Sequence, residues 1–140
     1  MDRSLEHARG LLERARGDLA TFECLSGDPA VPFWSAGFHA QQAVEKAIKA
    51  AIAFRGVEYP FTHDIQRLLE ILKQEGGGSP PEEGLLPSLT PYAVAARYDD
   101  ALDRVIVQGM VDVSRMLLLA QTVIGWAGRI CEPESLPPSP

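Results

Sequence analysis

The stretch FWSAGFHAQQAVEKAIKAAIAF, residues 33–54, decides how this chain folds. Ala40, Ala43, Val44, Ala47, Ile48, Ala50, Ala51, Ile52 and Ala53 are small or branched, and they fall on most faces of a helix. A helix that is apolar on so many sides must be buried against more than one neighbour. Its alanines let those neighbours approach closely, so the pattern predicts the central helix of a bundle. Arg55-Gly56 supplies the stop. One polar stripe remains: His39, Gln42, Lys46 and Lys49, with Gln41 and Glu45 beside it. Polar groups on an otherwise buried helix must find partners or water. The expected partners are a subunit interface, a cleft near His63 and Arg97, or a Glu45–Lys49 pair four residues apart.

Outward from this segment the chain reads as further helices. Leu5, Ala8, Leu12, Ala15, Leu19 and Phe22 alternate steps of three and four and mark a first helix that stops near Leu25, before Ser26-Gly27-Asp28-Pro29. Arg9, Glu13, Arg14 and Arg16 fall off that stripe and are expected to face water. A third helix opens at Thr62-His63-Asp64, with Thr62 as the predicted N-cap and Asp64 in the first turn. Ile65, Leu68, Leu69 and Leu72 give it a buried face, and it ends near Gln74. Residues 76–81, Gly-Gly-Gly-Ser-Pro-Pro, form a loop. Pro87 and Pro91 confine the next segment to short pieces, chiefly residues 91–97 with Pro91 at the start. A last long helix is predicted over residues 103–130, with Gln108, Asp112, Arg115, Thr122 and Arg129 on one polar line. Its apolar coverage exceeds one face, which suits a partner surface. Residues 1–131 thus read as one all-α bundle, and residues 132–140, with four prolines, as a disordered tail.

Composition narrows the function classes. The chain has 140 residues, enough to bury about two thirds of its unfolded surface. It is 46% hydrophobic and 23% charged, as ordinary globular domains are. A net charge of −6 lacks the overall basic field that draws proteins onto nucleic acid or anionic membranes, although a local basic patch remains possible. No apolar run approaches the roughly 18 residues of a membrane span, and the N-terminus has no signal-peptide core. Cys24 and Cys131 fit neither a disulfide framework nor a metal spacing, so a cytoplasmic protein with reduced thiols is expected.

Metal and cofactor chemistry find no pattern to rest on. His7, His39 and His63 do not have the spacing of a helical two-histidine site. Nucleophile elbows, paired cysteines and dinucleotide fingerprints are absent, and the glycines of residues 76–78 precede no phosphate-binding lysine. The expectation is no metal and no cofactor. His63 is placed to bond a backbone carbonyl or to pair with Asp64.

Three motifs nevertheless resemble one family. Residues 38–50, Phe-His-Ala-Gln-Gln-Ala-Val-Glu-Lys-Ala-Ile-Lys-Ala, resemble the central helix of bacterial and archaeal HEPN-domain proteins. Thr62-His63-Asp64-Ile65 resembles the segment that opens the family's next helix. Tyr92 and Ala96-Arg97-Tyr98-Asp99 resemble its "Y…ARYPD" segment, here with Asp100 after Asp99 and no proline between Tyr98 and Asp99. The resemblance spans roughly residues 5–130. It implies an up-and-down bundle of four long helices with a short extra helix, often a homodimer, and for many members a minimal nucleotidyltransferase partner in a toxin–antitoxin-like pair. Other members are metal-independent ribonucleases that use an Arg, four to six intervening residues, then a His near the last helix. Here no histidine follows His63, Arg3 and His7 enclose three residues, and Arg55 and His63 enclose seven. The resemblance therefore implies a non-catalytic, homodimeric protein that binds nucleotide or RNA. Gln42, Lys46, His63 and Arg97 are the candidate ligand-binding residues: Lys46 and Arg97 for phosphate, Gln42 and His63 to orient a ligand or an adjoining subunit. The same four residues would equally serve to knit the ends of the bundle together. The competing readings are a ribonuclease with a displaced His63–Arg97 site and a helical scaffold without ligand.

Overall fold

The computed structural model describes residues 3–95 and 112–133. Every regular element among them is helical: α1 (Arg3–Ser26), α2 (Phe33–Phe54), α3 (Ile65–Gln74), a 3-10 turn (Leu86–Leu89), the short α4 (Thr90–Ala95) and α5 (Val113–Cys131). This is an all-α up-and-down bundle of four longer helices with a short extra one.

α2 is the centre of the bundle, as its composition predicts. It packs against α1, α3, α4, α5 and the 3-10 turn, and its residues from Ala36 to Ala53 are buried apart from Phe38, His39 and Lys46. α1 lays Ala8, Leu11, Leu12, Ala15 and Phe22 on it, so the apolar stripe holds and Leu11 widens it. α2 closes with Gly56 at φ +74°, where Gly56 N–H donates to Ala53 O and Val57 N–H to Ile52 O. Those two bonds satisfy the last carbonyls of the helix, and the left-handed backbone they require favours glycine.

Three sequence expectations change. First, the cap of α3 is Asp64, not Thr62: Asp64 Oδ1 accepts from the N–H groups of Gln66 (3.0 Å) and Arg67 (3.4 Å). Thr62 Oγ1 instead accepts from Asp64 N–H and sets the carboxylate in place. Second, the last helix does not run unbroken through residue 112. Asp112 is extended (φ −73°, ψ 167°) and its side chain accepts from Arg115 N–H at 2.9 Å, so α5 begins at Val113. An aspartate bonds the backbone more favourably as a cap than it can inside a helix; residues 103–111 of that expectation lie outside the described residues. Third, Arg9 is half-buried rather than facing water: its Nε donates to Cys131 O at 3.3 Å, and with the exposed Arg16, which pairs with Glu132 at 2.9 Å, it ties the end of α5 to α1. Of the expected tail, residues 134–140 are outside the described residues.

The short α4 sits where the family resemblance places Tyr92. That side chain is fully buried and lies edge-on to Phe33 at 6.3 Å. Burial, with the charge of Asp112, pushes its hydroxyl up to about 12. Gly37 of α2 faces it: a Cβ there would overlap Cδ1 and Cε1 of the ring. The missing side chain of Gly37 is thus what lets α4 close on α2.

Candidate functional site

The polar stripe of α2 divides into two sites. The first centres on Glu45, which is 2% exposed in the middle of the bundle. Its Oε1 accepts from Gln41 Nε2 at 2.9 Å and His63 Nδ1 at 2.9 Å, with Gln42 Nε2 at 3.5 Å; its Oε2 accepts from Lys49 Nζ at 2.9 Å. Gln42 also donates to Gln41 Oε1 at 2.7 Å, and Gln41 donates to the carbonyl of His63 at 3.3 Å. No buried side-chain nitrogen or oxygen among the described residues lacks a partner. Burial pushes the Glu45 carboxyl up, but the hydrogen bonds from Lys49, Gln41 and His63 and the charge of Lys49 outweigh it, and the net value lies below the ordinary one.

His63 therefore reaches across from the loop before α3 and is fixed twice, by its ring and by its carbonyl. A carboxylate only accepts, so Nδ1 carries the proton toward Glu45, and a neutral ring then has its lone pair on Nε2. The expected pairing of His63 with Asp64 does not form, because Asp64 is committed to capping α3. Phe61, 98% exposed, stands edge-on to the His63 ring at 6.0 Å.

The second site joins α2 to α1. Lys46 Nζ and His39 Nδ1 both meet Asp18, the histidine at 3.2 Å. Of the four candidate binding residues, then, Gln42 and His63 share the Glu45 hub, Lys46 belongs to the Asp18 cluster, and Arg97 lies outside the described residues. The Glu45–Lys49 pair expected from its spacing is present, but it is buried rather than on the surface.

Sequence reading missed Asp18 and Tyr59. Asp18 is one carboxylate among several on α1, and only the docking of α1 on α2 selects it. Tyr59 lies in a loop, yet its ring stands 5.4 Å from Lys49 Nζ and its hydroxyl bonds His7 Nε2 at 2.8 Å. That extends a polar path from the hub to the start of α1. Cys24 is exposed and Cys131 buried, both as free thiols; burial and the Glu132 charge push the Cys131 thiol up to about 11, so it stays protonated. No three His, Cys, Asp or Glu among the described residues are grouped to hold a metal ion, and no described helix is long and apolar enough to cross a membrane.

An all-α bundle whose middle helix buries a fully bonded glutamate, clamped by a histidine from the loop before the next helix, defines the class of protein. The family model of the HEPN domain matches residues 8–130, and the chain belongs to that family. No curated protein and no solved structure shows significant similarity to it.

Proposed function

We propose that this chain is a non-catalytic HEPN protein of the cytoplasm that acts as a homodimeric partner of a minimal nucleotidyltransferase, in a toxin–antitoxin-like pair, and binds nucleotide or RNA through Gln42, Lys46, His63 and Arg97. One observation carries the reading: the last histidine of the sequence is His63, and its ring is spent on buried Glu45 rather than standing in an Arg-x4–6-His motif on the final helix. The hub then serves as a rigid platform that sets Gln42 and His63 in fixed positions, with the Lys46 ammonium beside them held on Asp18.

The Glu45–His63 pair also favours a second reading. A carboxylate-oriented imidazole is the arrangement a general acid–base needs, and RNA cleavage at a 2′-hydroxyl needs one. One assay separates the two. Protein whose solution mass has been determined by light scattering is incubated with mixed RNA in the presence of chelator, as wild type, His63→Ala and Arg97→Ala. The expected result is a dimer that leaves the RNA intact. A monomer at micromolar concentration overturns the dimer, and cleavage abolished by His63→Ala replaces the non-catalytic reading with a variant ribonuclease. Cleavage that survives both substitutions excludes the His63–Arg97 mechanism as well. A scaffold without ligand would show no thermal shift with any nucleotide. A ligand at a hundredfold excess over its Kd stabilises by about 2.7 kcal/mol.

A further inference from the structure

Exposed apolar surface is concentrated where the chain leaves α2. Among the described residues four large hydrophobic side chains stand exposed, and two of them, Phe54 and Phe61, bracket that segment. Pro60 beside Phe61 is exposed as well. Phe61 is the extreme case, with its ring almost wholly in water and an edge-on approach to His63. A phenyl ring held out in this way keeps its apolar area hydrated, and aromatic side chains are the strongest anchors of protein interfaces.

A hole lies beside that knob. An open cleft of about 440 Å³ separates the first turns of α1 from the segment after α2, with Ala53 and Val57 as apolar lining and His7 and Tyr59 on its walls. The planes of the two rings are within 14° of parallel, and the 2.8 Å hydrogen bond joins them, so the aromatic wall is flat and fixed. The volume is ample for a phenyl ring. Phe61 of the same chain does not fill it. Yet Tyr59 and Phe61 are two residues apart, at most about 7 Å along the backbone, so knob and hole belong to one patch. A patch that carries both is complementary to its own copy across a two-fold axis.

The charges agree with that symmetry. Arg3 and Glu58 stand on the walls of the cleft, and Glu6 and Arg14 border the hollow that continues it along α1. All four are exposed, and none forms an ion pair among the described residues. Lys49, behind the Tyr59 ring, is matched by Glu45. The rim therefore has no net sign and does not gather free ions of either charge. Balanced charges of both signs are what a second copy of the same surface can match.

We propose that this patch is the homodimer interface: Phe61 of each copy enters the cleft of the other against His7, Tyr59 and Val57, and Arg3 of one copy pairs with Glu58 of the other. The inference rests on the homodimer of the proposed function and adds the surface through which it forms. An aromatic anchor then sits at the centre and a charged rim surrounds it. Because Phe61 stands against His63, seating it also brings each Glu45–His63 hub to the edge of the interface.

The test is analytical ultracentrifugation of the full chain over a micromolar concentration series. Phe61→Ser removes the knob without touching the core, and circular dichroism checks that it folds. It should raise the dimer Kd by about thirtyfold or more, the scale of an aromatic hot spot. Leu118→Ser, at the exposed leucine of α5, should leave the Kd unchanged. Arg3→Glu and Glu58→Arg each set like charges against one another twice in a homodimer, and each should weaken it by about tenfold. Mixing those two variants gives a heterodimer with opposite charges at both contacts, so affinity should return to within about threefold of wild type. A wild-type chain that stays monomeric overturns the dimer reading and this interface with it. A dimer that survives Phe61→Ser, or that Leu118→Ser breaks instead, overturns the interface and spares the dimer. A mixture no tighter than either charge variant alone overturns the pairing of Arg3 with Glu58.

Discussion

Glu45 shows how much one side chain organises here. It is a carboxylate in the core, and breaking such a buried pair by removing one partner typically costs 3–5 kcal/mol, because the other charge is left stranded. Glu45→Ala should therefore lower unfolding stability in urea by about 3 kcal/mol or more. Lys49→Met should cost clearly less, since Glu45 would still accept from Gln41 and His63. If the two variants cost the same, the hub is a simple ion pair and the histidine adds nothing. The pH dependence has a definite sign. The folded value of Glu45 lies below the ordinary 4.5, so between the two values the unfolded chain binds more protons than the native one. Its stabilising contribution is complete above about 4.5 and is lost as pH falls through the lower folded value. Wild type should lose stability across that window relative to Glu45→Gln, and parallel curves for the two proteins would contradict this.

Among the elements, the contact of α4 with α2 is the one most open to a single substitution. Ala is ordinarily the better helix former, by about 1 kcal/mol over Gly. Yet Gly37→Ala must push its methyl into the buried Tyr92 ring, which has no exposed side to yield toward. Overpacking of this kind typically costs 1–3 kcal/mol, so after the helix gain of about 1 kcal/mol the net effect should lie between neutral and a loss of about 2 kcal/mol, read from denaturant midpoints. A stabilised Gly37→Ala would mean that α4 shifts freely on α2. The start of α5 shows where helical pattern alone misleads: Asp112 sits on a regular polar line with Arg115 and Thr122, but as the N-cap it begins the helix at Val113 instead of lying inside it.

For the whole molecule, the determining fact is that α2 has neighbours on nearly all sides. Ala47 is completely buried within it, so a larger side chain at that position has to displace packed neighbours. Ala47→Leu should cost about 1–3 kcal/mol or more, whereas Ala20→Leu on the exposed side of α1 should stay within about 0.5 kcal/mol. Comparable thermal shifts for the two would contradict a central α2. Charge is arranged on the same scale: α1 carries four arginines in residues 3–16 against Glu6 and Glu13, in a chain that is acidic overall. Net charge by itself excluded an overall basic field but gave no location for a local one.

The sequence by itself determined that the chain is helical and that residues 33–54 form its centre, and its three motifs, in order, carried the resemblance to HEPN proteins. The first two are properties of period and local composition: small and branched residues on most faces of one helix, and stops at Gly56 and Gly76. It also singled out Gln41, Gln42 and Glu45 as polar groups that needed partners, because a polar residue on an apolar helix declares its own deficit. Which partners they would find was decided only in three dimensions. His63 meets Glu45 across 18 residues of sequence, Lys46 meets Asp18 across 28, and His7 meets Tyr59 across 52. Such pairs leave no periodic trace, since the separation along the chain carries no information about which helices dock. Desolvation then selects among the possible contacts: a charge can enter the core only where the packed neighbours already supply its hydrogen bonds.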